Sequence, residues 1–128
     1  MFRDSQESHE DYLKAIYFIS KKNKGGWVSN SEIASFLKVK PSSVTNMLYK
    51  LKKEGYIRWE PRKAIRLTIS GKEVAKDIVR YNKKLREFFK KILNINDEVK
   101  VKELCCKIEH YITPEVVKAL ENLVLNNE

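Results

Sequence analysis

The chain has 128 residues, 42% apolar and 34% charged, which is enough for one compact domain, or for a small domain plus a helical extension that a partner covers, and too little for two large cores. That balance excludes a disordered chain; no apolar run could span a bilayer and the acidic, polar start lacks a secretion-signal layout, so a cytoplasmic protein with no membrane role is expected. The net charge of +9 is uneven: residues 1–71 carry 14 Lys/Arg against 7 Asp/Glu, residues 72–93 carry 8 against 3, and residues 94–128 carry 4 against 7, which points to a polyanionic partner for the first three quarters and a different one for the acidic end.

Helical spacing begins at once, with Tyr12, Leu13, Ile16 and Ile19 on one stripe from about Ser8 to Ser20. Lys21 to Trp27, polar and containing Gly25-Gly26, ends it. Asn30 or Ser29 can cap a short second helix with Ile33, Ala34 and Leu37 inward, and Lys38-Val39-Lys40 is long enough only for a turn. Pro41 suits the first position of a third helix, whose stripe of Val44, Met47, Leu48 and Leu51 runs to Lys53 and stops at Gly55. Tyr56–Glu60 and Ile65–Thr68 read as two short strands joined through Pro61-Arg62-Lys63-Ala64, a hairpin with a basic tip.

From Thr68, a plausible cap, a long helix is predicted over about 69–93 through Val74, Ile78, Tyr81, Leu85, Phe88, Phe89 and Ile92, with Gly71 in its first turn. Asn96 is expected to cap a further helix, with Asp97 and Glu98 at its positive end, and Thr113-Pro114-Glu115 to open the last one. The two cysteines, Cys105 and Cys106, are adjacent in a helix with side chains about 100° apart, a poor geometry for a disulfide, so reduced thiols are expected.

Helix, turn, helix and two-stranded wing in this order describe a winged helix-turn-helix DNA-binding domain. The outward face of the third helix carries Ser42, Ser43, Thr45, Asn46, Tyr49 and Lys50, with Lys40 just before it. Asparagine can pair with an adenine edge, hydroxyls near a helix N-terminus can donate to phosphate, and the wing adds Arg62, Lys63 and Arg66. The alternative for each residue alone is a cap or a solvated surface; the set together favours double-stranded DNA. The predicted fold is therefore mainly α: a winged helix-turn-helix domain over residues 1–71 with a small two-stranded wing, followed by an all-helical domain over 72–128.

Three segments in this order, Glu10-Asp11-Tyr12-Leu13-Lys14-Ala15-Ile16-Tyr17, Pro41-Ser42-Ser43-Val44-Thr45-Asn46-Met47-Leu48 and Cys106-Lys107-Ile108-Glu109-His110, resemble the diphtheria-toxin-repressor family of metal-dependent transcriptional regulators, which includes iron-dependent repressors and manganese transport regulators. The resemblance covers nearly the whole chain. It implies a DNA-binding domain and a helical dimerisation domain with metal bound between the two, in a short form that looks to lack the SH3-like third domain of longer members.

On a helical wheel, Val101, Leu104, Cys105, Ile108, Tyr111 and Ile112 share one side, and Cys106, Glu109 and His110 fall largely on the other. Cys105 is then most simply a small buried hydrophobe, whereas Cys106 lies at i, i+3 and i+4 with Glu109 and His110, so their donor atoms can converge on one ion. With Asp11 of the first helix these make the implied metal ligands. Carboxylates, imidazole and thiolate suit one divalent transition metal per subunit, Fe(II) or Mn(II) by the resemblance, with Zn(II) or Co(II) compatible and Mg(II) or Ca(II) excluded. Lys14 stands where the manganese regulators have a carboxylate, Asn82 where a His is common, and Lys102 and Arg86 where the iron regulators place second-site ligands. No two-metal cluster is expected, and Asn82 offers at most a weak amide oxygen.

The implied protein is a homodimeric repressor of a palindromic operator, with metal as co-repressor. Its dimer contact is expected through the C-terminal helices with Ile108, Ile112, Val116, Leu120 and Leu123. Two rivals are a winged-helix regulator that is metal-independent or switched by oxidation of Cys106, and a helical adaptor that does not bind DNA. Catalysis is not expected, since no glycine-rich or oxyanion-forming segment accompanies Cys106 and His110.

Overall fold

The computed structural model describes residues 4–127, in two compact units, Met1–Lys76 and Asp77–Glu128. In the first unit, α1 (Asp4–Lys22) starts ahead of the apolar stripe that predicts it and buries Tyr12, Leu13, Ile16 and Ile19, together with Ala15 and Tyr17. A tight turn at Lys24–Gly26 leads to α2 (Asn30–Leu37). Its cap is Ser29: the hydroxyl accepts from Glu32 N at 3.1 Å, and the Glu32 carboxylate accepts from Ser29 N at 2.9 Å, so two otherwise orphaned donors are satisfied reciprocally. Asn23 Nδ2 also donates to Glu32, and with the Ser29 N–H it holds that carboxyl below the usual carboxylate range.

After the turn at Lys38-Val39-Lys40 comes α3 (Pro41–Lys53), with Pro41 in its first turn and Val44, Leu48 and Leu51 buried. Gly55, at φ +82°, takes the left-handed conformation that lets the chain reverse into β1 (Ile57–Arg58). The wing is shorter than predicted. β1 pairs antiparallel with β2 (Arg66–Leu67) only through Ile57↔Leu67 and Arg58↔Arg66, because the chain turns off at Glu60–Lys63 and Arg62 takes a positive φ of 66°. A bridge that the sequence did not suggest extends it: Val28 N donates to Ile65 O at 2.9 Å and Ile65 N to Val28 O at 2.7 Å. A one-residue strand carries no periodicity to detect.

Thr68 caps α4 (Ile69–Glu87), its hydroxyl accepting from Gly71 N at 3.1 Å while its own N–H donates to Tyr56 O. The long helix predicted to about Leu93 is interrupted: after Glu87 the backbone widens into a π turn over Phe88–Ile92. Gly71 matters more than its place in a first turn suggests, since a Cβ there would lie 2.1 Å from the Tyr56 carbonyl oxygen.

The second unit contains α4 from Asp77 onward, with α5 (Glu98–Ile108) and α6 (Pro114–Asn126). Asp97, and not Asn96, caps α5, accepting from Lys100 N at 3.2 Å; adjacent short polar residues compete for this role and the chain uses the later one. Thr113 caps α6 as predicted. Leu85, Val101 and Cys105 form a buried cluster against which Phe89, Ile108, Ile112 and Leu120 pack, and Ile78, Tyr81 and Val117 form another. Three residues of the predicted dimer face, Ile108, Ile112 and Leu120, are thereby used inside this unit, while Val116 and Leu123 stay exposed, with Leu104 and Leu125. Among the described residues no helix is long and apolar enough to cross a membrane.

Replacing Gly71 by Ala should force the start of α4 away from Tyr56. Urea unfolding followed by circular dichroism should show a loss of roughly 2–3 kcal/mol, well beyond an ordinary glycine-to-alanine change in a helix.

Candidate metal centre and nucleic-acid interface

In the first unit α3 turns two faces in opposite directions. Val44, Leu48 and Leu51 are buried, while Ser42, Ser43, Asn46, Tyr49 and Lys50 are exposed, as is Lys40 before them. No side chain caps the start of α3: Pro41 has no N–H to satisfy, and the Ser43 N–H donates to the Lys40 carbonyl at 3.0 Å. Thr45 differs from its neighbours. Half-buried, it donates its hydroxyl to Pro41 O at 3.1 Å and accepts from Asn30 Nδ2 at 3.0 Å, so it ties the start of α2 to α3.

Tyr49 is 53% exposed, yet its ring is fixed by an edge contact with the buried Trp59, centroids 4.8 Å apart and planes at 79°. That contact joins α3 to the wing. On the wing, the Arg66 guanidinium lies over the Trp27 ring at 5.1 Å, and Arg62 and Lys63 are exposed at the tip. The Lys63–Glu60 pair, 3.9 Å apart with both side chains more than 70% exposed, does little to neutralise that tip. Between helix and wing lies a groove of about 730 Å³, lined among others by Asn30, Thr45, Tyr49, Trp59, Arg62 and Lys63. Asn30, Trp27 and Trp59 were not among the candidate residues. Their partners lie between 10 and 39 positions away in sequence, and no local spacing signals such pairs.

In the second unit the two thiols part company. Cys105 is fully buried in the cluster with Leu85 and Val101, and burial pushes its thiol pKa up to about 11. Cys106 is half-buried, with its sulfur 3.9 Å from Asn82 Nδ2, and the Asn82 oxygen accepts from Arg86 Nε at 2.8 Å.

Glu109 and His110 depart from the wheel, which put them on a solvated face. Glu109 is 0% and His110 6% exposed, whereas Tyr111, expected in the apolar stripe, is 55% exposed. α5 ends at Ile108, and Glu109–Tyr111 form a tighter 3-10 turn. Each residue there advances about 120° instead of 100°, so positions read from an α-helical wheel do not hold beyond Ile108. His110 Nε2 and Glu109 Oε2 lie 3.5 Å apart. A buried carboxylate beside a buried imidazole is costly unless a cation or a proton is shared there, and it is also a ligand pair suited to a divalent transition metal. Asp11, in the first unit, is half-buried on α1.

Two family models match the chain: the iron dependent repressor N-terminal DNA binding domain over residues 4–65, and the iron dependent repressor metal binding and dimerisation domain over residues 68–128. The chain belongs to the iron-dependent repressor family. This is the diphtheria-toxin-repressor group of metal-dependent transcriptional regulators that the three segments resemble. An uncharacterized HTH-type transcriptional regulator of Methanocaldococcus jannaschii is 39% identical over 115 residues, covering 90% of each chain. The HTH-type transcriptional regulator MntR of Shouchella clausii is 37% identical over 117 residues, 91% of this chain and 79% of MntR. Among solved structures, zinc-bound ScaR superposes with a TM-score of 0.76 at 29% identity, over 94% of this chain and 54% of ScaR, so this chain spans about half of that longer one. The iron-dependent repressor fold, mainly helical with a small wing, thus agrees with the architecture described above.

The buried thiol gives a test with a defined sign. Because the Cys105 pKa is raised on folding, the folded state keeps a proton that the unfolded chain has released, so stability is lost as pH rises from about 9 towards about 11. Between those pH values the wild type should lose on the order of 1–3 kcal/mol relative to Cys105→Ala, read from urea midpoints. Iodoacetamide should meanwhile label Cys106 in the native protein and Cys105 only after denaturation.

Proposed function

We propose that this family member is a homodimeric repressor of a palindromic operator that uses one divalent transition metal per subunit as co-repressor, held by Asp11, Cys106, Glu109 and His110. The observation that carries this reading is the burial of Glu109 and His110 side by side in the 3-10 turn after α5, inside the part matched by the metal binding and dimerisation model. The donors fit the ion: carboxylate, imidazole and thiolate together suit Fe(II) or Mn(II), accept Zn(II) or Co(II), and lean to iron or zinc over manganese through the sulfur. ScaR, a solved relative with bound zinc, carries a metal of the same class.

When bound, the metal supplies a cross-link between Asp11 and the α5 turn, and its differential affinity for the DNA-competent arrangement sets how far the population moves. The chain's own residues do the rest. Glu109 brings negative charge into a buried place, His110 supplies a neutral nitrogen, and Cys106 supplies a soft donor, so binding is coupled to loss of the thiol proton. Lys40, Ser42, Ser43, Lys50, Arg62, Lys63 and Arg66 serve phosphates, and Asn46 and Tyr49 face base edges, while Thr45, engaged with Asn30, acts mainly by holding the helix. The dimer contact uses the exposed apolar residues of the C-terminal helices, Val116 and Leu123 with Leu104. The protein acts in the cytoplasm and is not an enzyme.

Reduced, anaerobic protein should bind an operator selected from random-sequence DNA more tightly when Fe(II) or Mn(II) is added, as measured by fluorescence anisotropy. Glu109→Gln and His110→Ala should each weaken that metal response by roughly 10- to 100-fold. No metal response in the wild type would leave only the metal-independent or thiol-switched regulator. Arg62→Ala should weaken all sequences about equally and lower the salt slope by about one, whereas Asn46→Ala should relax preference at one base pair by roughly 1–3 kcal/mol. DNA affinity that ignores salt would support the adaptor instead.

A further inference from the structure

Asn82 and Arg86 stand four residues apart on α4, so their side chains meet on one face. Arg86 Nε donates to Asn82 Oδ1 at 2.8 Å, and only the oxygen end of the amide can accept from a guanidinium. This fixes the orientation of the amide. Its nitrogen end is then turned to the Cys106 sulfur, 3.9 Å away.

We propose that Asn82 is a positioning residue for the thiol: Arg86 orients its amide, and the amide N–H donates a hydrogen bond to the Cys106 sulfur. This rests on the reading of Cys106 as a metal ligand. It replaces a weak oxygen ligand at Asn82 with a donor to the ligand sulfur. The contact is long for a neutral thiol, and a sulfur that has lost its proton to bind metal is a charged acceptor that draws the N–H in. Arg86 contributes twice: it occupies the amide oxygen, so that an ion would have to displace a cation to reach it, and its charge polarises the amide into a better donor. The supporting bond that metal-binding side chains need is thus made here by a neutral amide backed by a fixed cation.

Cobalt-loaded protein reports on the sulfur directly, through the thiolate-to-cobalt charge-transfer absorption. Asn82→Leu keeps the volume and removes the donor. The band should move to lower energy, because an unbonded thiolate gives up its electrons more easily, and Co(II) should bind about tenfold more weakly. Arg86→Met should shift the band the same way by less, and the double variant should match Asn82→Leu alone, since the two residues act in series. Unshifted bands in both variants would overturn the proposal, as would a site lost in Asn82→Leu and restored in Asn82→Asp, which would make residue 82 an oxygen ligand.

If wild-type cobalt protein shows no thiolate band, Cys106 is not a ligand and the reading beneath fails separately. Metal-free protein with isotope-labelled asparagine then decides the relay by nuclear magnetic resonance. Arg86→Met and Cys106→Ala should each move the Asn82 side-chain amide signals, and signals that stay in place in both would overturn it.

Discussion

Burying the Glu109 carboxylate against the His110 imidazole is the constraint on which the functional reading depends. A carboxylate taken out of water costs several kcal/mol unless compensating charge or hydrogen bonds come with it. The pair sits in the 3-10 turn that follows Ile108, with Tyr111 at the end of that turn exposed. The two cysteines of α5 differ: Cys105 packs against Leu85 and Val101, and Cys106 is half-buried with its sulfur beside the Asn82 amide.

The DNA-facing side follows a similar economy of supports. Exposed groups that could meet a polyanion are held by groups that cannot: Tyr49 by the buried Trp59, Arg66 by the Trp27 ring, and the start of α3 by the Asn30–Thr45–Pro41 chain of hydrogen bonds. Fixing these side chains in advance lowers the entropy lost on binding. Positive charge of this kind attracts a polyanion without reading sequence, and Asn46 is exposed on the outward face of α3.

The helices of both units were legible because their apolar spacing at Leu13, Ile16, Val44, Leu48 and Leu51, and at Ile78 and Leu85, is strong and regular. Caps were legible to within a residue, as Asp97 in place of Asn96 shows. What escaped was non-local or irregular. The Val28–Ile65 bridge, the Trp59 contact and the Asn30 bond join residues far apart in sequence, and the 3-10 turn breaks the 100° step on which a helical wheel relies. The metal ligands were proposed through the family resemblance, and the wheel misplaced the surroundings of two of them. Asn82 and Arg86 depart from the family pattern, but their spacing alone does not reveal the 2.8 Å bond from the guanidinium to the amide oxygen.

The proposed function requires one transition-metal ion per subunit in a mixed shell of oxygen, nitrogen and sulfur. It is tested most directly on protein kept reduced and anaerobic, loaded with Fe(II), freed of excess ion and examined for metal content and X-ray absorption. One iron per subunit with one sulfur among its nearest neighbours is the predicted result. No retained metal, two ions per subunit, or a shell without sulfur would contradict it.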